Sequence, residues 1–538
     1  MSTTTYSNIL IPGRHHVVTN FQHQYLHNLL TSSTPKALDD KPVSFSQRPK
    51  FVWAVTSANH SNTRRNPIAG NRREVAIEHF GTDLPAESFV YLINDLGATP
   101  RFADYLIKDI EVQSRGLINI TPENTLVACS TPAVIEMYEE LGYRILPLEL
   151  TDRKTGTWGY TRAWQVVEAI AEAGPSWRRD STYLNEAHEA SKHLFEKYGL
   201  GDDIVEIHSD PILGDEGDIT DTRDYSTYVR AFDFGADRKY RYIQGLVRPG
   251  RIVDIGCATG AIIKEMGNDD ELRESDLYGI EVTRKMYEIC QQRKAAGEFN
   301  NENVFFYQRN ILSGKVFPDN SINTTTAFSL THEIESYVGR EALKRMISQV
   351  YRQTAVGGVF INVDVVGPAH GDQLVLMKLN QSDGVADDAG KSFSHDEQAA
   401  YTNYLNTLST YGRFLRFARD FRAEEKEPMK YQETQVDGEG YIELKLSDAA
   451  EFLSKKDYTD NWFSEMHERF CFWSFQDWKN ALEEVGFTIS PESHQFTNPW
   501  LIENRYKGKV DLFKEVGGRL ESVEYPPSSM ILIGEKRV

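Results

Sequence analysis

Short β-branched runs alternate with helix-period stretches twice along this chain, and that alternation constrains the fold more than any other feature. In the first block the runs are 51–57 (FVWAVTS), 88–95 (SFVYLIND), 125–130 (TLVACS) and 143–149 (YRILPLE), separated by helical patterns near 71–80, 100–113 and 132–141. The second block starts near 226. Its helices are expected at 235–247, 260–267, 283–296 and 340–355, and its strands at 251–255, 277–281, 303–307, 322–328 and 358–365. Parallel neighbours need a right-handed crossover, so each block predicts a parallel sheet with helices on both faces. The fold class is α/β, with two Rossmann-like doubly wound domains.

Residues 1–175 form the first domain, 176–225 a helical and acidic connector containing GDEGDITDTRD, and 226–538 the second domain. Within the second, the pattern breaks at 371–470, a segment rich in Tyr, Phe and charge that reads as an inserted cap with helices around 396–425 and 447–456. A hundred structureless residues inside a compact domain would be exceptional. A helix at 474–485 and strands near 487–497 and 529–535 complete the sheet, so seven strands are expected.

The formal charge is −20, from 59 basic and 79 acidic residues, and a field of that sign repels phosphate backbones. Nucleic acid is disfavoured as a partner, although RNA methylation stays open. Residues 1–175 are nearly balanced, so a nucleotide-sized ligand there is compatible with the charge. Cys129, Cys257, Cys290 and Cys471 form no CxxC pair and read as free thiols, which fits a cytoplasmic protein. No apolar stretch approaches the ~20 residues of a membrane span, and no metal-ligand spacing is found. His15 and His16, and His467 and Glu468, are read as structural or surface residues.

The chemistry is carried by RIVDIGCATGAII, 251–263, where a strand ends in Asp254 and passes through Gly256 and Gly260 into a helix. Glycine lets the backbone turn and lets a ligand approach without a Cβ in the way, while the helix start presents unpaired N–H groups. The glycines stand at relative positions one and five, which is neither the GxGxxG dinucleotide fingerprint nor a GxxxxGK[ST] phosphate loop. A nucleoside cofactor without pyrophosphate fits.

This stretch resembles the first motif of class I S-adenosylmethionine-dependent methyltransferases, and Glu281, 25 residues on in LYGIEVT, matches the acid that ends the family's second strand. NVFFYQRNIL (303–312), SINTTTAFSLTHEIESY (321–337), WSFQDWKNALEEVGFTI (473–489) and SSMILIGEK (528–536) resemble later motifs in the family's order. The resemblance implies S-adenosyl-L-methionine as cofactor. It implies contacts from Asp254, Ile255, Gly256, Cys257, Ala258, Gly260, Glu281, Val282, Arg309, Asn310, Ile311, Phe328 and Ser329, with Glu281 on the ribose hydroxyls and Asn310 toward adenine. Ala258 replaces a frequent Gly, and Asn310 an Asp.

Methyl transfer by direct in-line displacement to a small or medium-sized, or nucleotide-like, acceptor is the implied reaction, with positioning supplying most of the rate. Where the acceptor must lose a proton, His332 is the candidate base and Glu333 its orienter or alternative.

In the first domain, VTSANHSNTRRNPIAGNRREVAIEHF (55–80) resembles nicotinamide mononucleotide adenylyltransferases at Asn66, Pro67, Ala69, Gly70 and Arg72. That family's HxGH turn is represented here by Thr19, Asn20, Phe21 and Gln22, which cannot supply imidazolium charge to phosphates. The resemblance implies a degenerate nucleotidylyltransferase-like domain with Arg64, Arg65, Arg72 and Arg73 as anion contacts, or one that supports its neighbour or forms a homodimer. A bifunctional nucleotidyltransferase/methyltransferase and a non-catalytic scaffold are the alternatives.

Overall fold

The computed structural model describes residues 5–538 except 32–33, 97–98, 153–156, 211–213, 215–232, 234, 315 and 426–428. Its contacts divide into two units, Met1–Gly217 and Asp218–Val538.

The first unit is a parallel sheet of β1 (Thr5–Gly13), β2 (Ser44–Val55), β3 (Glu87–Leu92), β4 (Thr125–Ala128) and β5 (Arg144–Leu146) in the order β3-β2-β1-β4-β5. A short ribbon, β6 (Leu150–Asp152) with β7 (Thr157–Trp158), follows. The central strand β1 is absent from the expected strands, because Ser7, Asn8 and Pro12 interrupt its apolar run. Side chains alternate across it: Ile9 and Ile11 pack on one face of the sheet, Leu10 on the other.

Residues 181–209, expected in a connector, form the helices Ser181–Glu186, Glu189–Tyr198 and Leu200–Ser209. Tyr183, Leu194, Phe195 and Ile204 pack with Val17, Ile68, Val166 and Trp177. The first unit therefore extends beyond 175, since these apolar faces must be buried against a partner. The acidic run 214–224 lies outside the described residues, save Gly214.

In the second unit, β8 (Arg251–Ile255), β9 (Asp276–Glu281), β10 (Val304–Gln308), β11 (Ile322–Phe328) and β12 (Thr354–Asp364) are parallel. Three strands, β13 (Leu374–Leu379), β14 (Tyr431–Val436) and β15 (Glu439–Lys445), come next and leave this sheet. The pieces β16 (Thr488–Ile489) and β17 (His494–Phe496) return to it. The hairpin β18 (Val510–Val516) and β19 (Arg519–Val523) leaves again before β20 (Ser529–Glu535) closes it.

The main sheet runs β10-β9-β8-β11-β12-β20-β16, with β20 antiparallel to its neighbours and β17 also paired to β20. Among the described residues this sheet has eight strands where seven were expected, because the last edge position is split into two pieces that pair with successive parts of β20. β8 is buried on both faces: Ile252 joins one apolar cluster, Val253 and Ile255 the other. The helix Arg340–Gln353 buries Leu343, Met346, Ile347 and Val350 at helical spacing.

The cap is a second, antiparallel sheet in the order β14-β15-β13-β18-β19. The helices Gln398–Thr407, Thr410–Asp420 and Leu446–Lys455 share its core through Tyr401, Leu405, Phe414, Phe417, Phe452 and Leu453. It is thus α+β rather than helical, and it is built from two stretches of chain rather than from 371–470 alone. Among the described residues no helix is long and apolar enough to cross a membrane.

Candidate active site

Strand β8 sits between β9 and β11, at the centre of the sheet, and the loop after it turns back over the end of β9. Gly256 (φ 68°), Ala258 (φ 48°) and Gly260 (φ 74°) are all left-handed, and Gly260 caps the helix Ala261–Gly267. The glycines are required by space as well as by φ. A Cβ at Gly256 would lie 2.9 Å from Leu330 Cδ1, and one at Gly260 2.9 Å from Phe306 Cζ. Ala258 has no such freedom and carries the steric cost of its conformation.

Three hydrogen bonds staple this loop to β9. The Gly256 and Cys257 N–H groups donate to Ile280 O at 2.8 and 3.1 Å, and the Ala258 N–H donates to Glu281 Oε2 at 2.9 Å. Glu281 Oε1 accepts from the Thr283 N–H at 2.8 Å. Burial raises the Glu281 carboxyl to about 7 against these donors, and the field of Glu333 adds to the rise.

Asp254 is buried and likewise pushed up to about 7 by desolvation, while the Thr326 hydroxyl donates to its Oδ1 at 2.7 Å. Lys239, which the sequence reading passed over, lies within the field of both Asp254 and Asp364; burial lowers its ammonium below the usual range. Asn310 is buried, and its Oδ1 accepts the Leu312 N–H at 2.9 Å. The Arg309 N–H donates to Glu281 O at 3.0 Å, Val282 follows Glu281 at the end of β9, and Ile311 is buried beside Asn310. Phe328 ends β11, and Ser329 follows in a left-handed conformation (φ 51°) with its N–H on Val363 O.

His332 is 5% exposed, and both ring nitrogens face carboxylates. Nδ1 is 2.6 Å from Asp364 Oδ1 at the end of β12, and Nε2 is 3.4 Å from Glu468 Oε2 in the return from the cap. Asp364 also receives the Thr331 N–H and hydroxyl, at 2.7 and 2.6 Å. Burial alone would lower the imidazole pKa; Asp364 and Glu468 more than reverse this and hold it well above its ordinary value. Glu468 is buried, takes the Tyr337 hydroxyl at 3.2 Å, and is flanked by Phe470, whose ring meets that of His332 edge-on at 4.8 Å.

The carboxylate that meets His332 Nδ1 is that of Asp364, where the sequence offered the neighbouring Glu333 as orienter or alternative base. Reading Glu468 as structural or surface missed its place against His332. Chain separations of 32 and 136 residues hide both partners, and only the placement of Asp364 at the C-terminal end of a central strand offered a signal. Among the described residues no group of His, Cys, Asp and Glu is arranged to hold a metal.

A family model described as a methyltransferase domain matches residues 248–420, which span β8 to β13 and the cap's first two long helices. No curated protein matches the sequence. Among solved structures, an S-adenosylmethionine-dependent methyltransferase from Mesorhizobium loti is 14% identical, covering 56% of this chain and 100% of that one, with a TM-score of 0.30. A SAM-dependent methyltransferase from Thermotoga maritima is 12% identical, covering 58% and 95%, with a TM-score of 0.28. The geranyl diphosphate C-methyltransferase of Streptomyces coelicolor A3(2) is 9% identical, covering 56% and 77%, with a TM-score of 0.29. By the family match, residues 248–420 are similar to a methyltransferase domain.

Proposed function

We propose that the second unit methylates a small or medium-sized metabolite held beneath the cap, by in-line displacement at the methyl carbon. One observation carries this: the loop 256–260, left-handed at three positions, is hydrogen-bonded through Ala258 to the buried carboxylate of Glu281. The residues suit the cofactor. A carboxylate offers about four lone-pair directions; the Ala258 N–H, the Thr283 N–H and the Thr283 hydroxyl already bond Glu281, so a ribose would take the remaining direction and compete with the Thr283 hydroxyl for another. Gly256 and Gly260 add no side chain to the loop, and we assign Lys239 to the methionine carboxylate and the Asn310 amide to adenine.

When bound, S-adenosylmethionine supplies an electrophilic methyl group on a sulfonium. Asp364 fixes Nδ1–H of His332, which leaves Nε2 as the atom that takes a proton from the acceptor. An acceptor that takes the place of Glu468 at Nε2 removes one of the two charges that hold the imidazole protonated, which lowers its pKa and lets the ring be neutral and able to accept the proton. Glu333 tunes Glu281 electrostatically.

For the first unit we infer a nucleotidylyltransferase-like fold without nucleotidyl transfer. Phe21 stacks on Tyr160 at 3.9 Å, and Gln22 donates to Glu149 at 3.0 Å, so the turn is filled by its own side chains. Arg73 donates to the carbonyls of Arg14, Thr56 and Ser57, and Arg72 covers the Tyr198 ring, so both have structural partners.

The test is incubation of the full chain with methyl-labelled cofactor and fractionated cell extract, with the product identified by mass. A labelled metabolite is expected, and His332→Ala should lower its formation at least a hundredfold while cofactor affinity changes less than threefold. No label in any fraction contradicts the proposal.

A further inference from the structure

The segment that brings Glu468 to His332 belongs to no helix or strand, so its main-chain groups take their partners from elsewhere. The N–H of Glu468 donates to Ser464 O at 3.2 Å, and that of Arg469 to Ser336 Oγ at 2.8 Å. Those of Phe470 and Cys471 both donate to Glu451 Oε1, at 2.8 and 2.7 Å. The Glu468 carbonyl accepts from Lys455 Nζ. Glu451 and Lys455 stand one turn apart on the cap helix Leu446–Lys455, 3% and 0% exposed, with Lys455 Nζ 2.8 Å from Glu451 Oε2. A buried ion pair adds little net stability over well-packed apolar side chains. What this pair supplies, and apolar side chains cannot, is hydrogen bonds to the main chain of the segment.

The segment ends against the imidazole. Lys455 Nζ lies 4.4 Å from the centre of the Phe470 ring, and that ring meets His332 edge-on at 4.8 Å. From the other side, Ser336 Oγ donates to His332 O at 2.6 Å, and the Tyr337 hydroxyl meets Ser464 Oγ at 3.0 Å and Glu468 Oε1 at 3.2 Å. The main chain is thus held both by the cap helix and by the helix Thr331–Tyr337 that bears His332. Of the two acids at the imidazole, Glu468 is the looser: its 3.4 Å from Nε2 exceeds ordinary hydrogen-bond length, against 2.6 Å from Asp364 to Nδ1. It is the one an acceptor displaces.

We propose that Glu451 and Lys455 are positioning residues, which hold the Glu468 carboxylate and the Phe470 ring against His332 until an acceptor takes Nε2. This rests on the reading of His332 as the base. Burial favours the neutral imidazole and is outweighed by Asp364 and Glu468, so releasing Glu468 moves the titration of His332 to lower pH. The other charged groups on the surrounding elements are Glu335, 2.9 Å from Arg340; Arg469, 3.1 Å from Glu425; His467, stacked on Tyr337; Glu465, acting on Tyr458; Glu333, acting on Glu281; and Lys239, acted on by Asp364. The substitutions below alter none of them, and each removes one charge of either sign.

The first experiment needs no turnover. Carbon-13 NMR of the full chain with labelled histidine, without cofactor, follows the His332 signal, which is the one missing from His332→Asn. Glu451→Leu/Lys455→Met should lower its midpoint by about one pH unit or more, in the direction of Glu468→Gln. Glu451→Gln/Lys455→Met keeps an acceptor for the Phe470 and Cys471 N–H groups, and its midpoint should fall between that variant and the wild type. Circular dichroism verifies each fold. A midpoint unchanged in Glu451→Leu/Lys455→Met, or in Glu451→Gln/Lys455→Met should the first not fold, overturns the proposal. Loss of folding in both makes the pair a structural one and also overturns it.

The second experiment measures the pH profile of labelled-methyl transfer. The acid limb of kcat/KM, which reports the free protein, should move to lower pH in Glu451→Leu/Lys455→Met, while kcat at the high-pH plateau stays within about threefold, because the acceptor complex has already displaced Glu468. A limb that stays in place while the NMR midpoint moves overturns the reading of His332 as base and leaves the hold on Glu468 standing. No product in any variant, with the NMR midpoint moved, overturns methyl transfer alone.

Discussion

Ala258 is the residue at which the cofactor loop and its own sequence disagree. A left-handed alanine costs roughly 1–2 kcal/mol, partly offset by the entropy a glycine would lose. Ala258→Gly should therefore stabilise the second unit by up to about 1 kcal/mol, read as a higher urea midpoint with an unchanged slope; a lower midpoint would contradict the left-handed assignment. Glu281 gives a prediction in pH. Its folded pKa is about 7, raised above the ordinary carboxylate value by burial, so the empty fold retains a proton there that an acceptor of ribose hydroxyls must lose. Cofactor affinity should rise with pH up to about 7 and flatten above it, with proton release visible near pH 6 as a buffer-dependent binding enthalpy. Glu281→Gln should flatten most of the slope and leave the share of Asp254, which titrates in the same range. An affinity that falls between pH 6 and 7 would contradict this. At this scale the sequence was legible wherever spacing is local: the loop glycines and the acid one βα unit later are visible in a single window. Lys239, Asp364 and Glu468 were not, because nothing short of the tertiary fold brings them together.

Among the elements, the parallel strands and their crossover helices were readable because β-branched runs and helical periodicity are strong signals over such lengths. β1 escaped because its polar residues break the run, although burial on both faces makes it the middle of its sheet. The cap's sheet escaped for a different reason, since its strands come from segments more than fifty residues apart. Its hairpins were nonetheless written in the chain. Asp437-Gly438 and Gly517-Gly518, all left-handed, join alternating runs in the way two-residue hairpin turns do. The hairpin β18–β19 supplies two of the cap's five strands, and Leu512, 1% exposed, faces its core. Leu512→Ala should cost about 2–5 kcal/mol of cap stability. Acceptor turnover should fall while calorimetric cofactor affinity stays within a factor of three, because the cofactor loop belongs to the other sheet. Equal loss of both would mean that the two sheets of this unit do not act as separate layers.

On the scale of the whole molecule, the balance of charge matches the reaction. Asp254 and Asp364 act on Lys239, Asp364 and Glu468 on His332, and Glu333 on Glu281, in a chain of net charge −20. Such a field attracts a sulfonium and favours it over its neutral demethylated product. Affinity for S-adenosylmethionine should therefore fall with ionic strength more steeply than affinity for S-adenosylhomocysteine, by a few-fold over the range where screening becomes effective; parallel salt slopes would contradict this. The central claim is narrower: the loop from Asp254 to Gly260 and the carboxylate of Glu281 together bind the cofactor. Isothermal titration of the full chain with S-adenosylhomocysteine, on the wild type and on Glu281→Ala, measures it directly. One site per chain is expected, weakened roughly ten- to a hundredfold by the substitution; no heat of binding in the wild type, or equal affinity in the two proteins, would contradict the account.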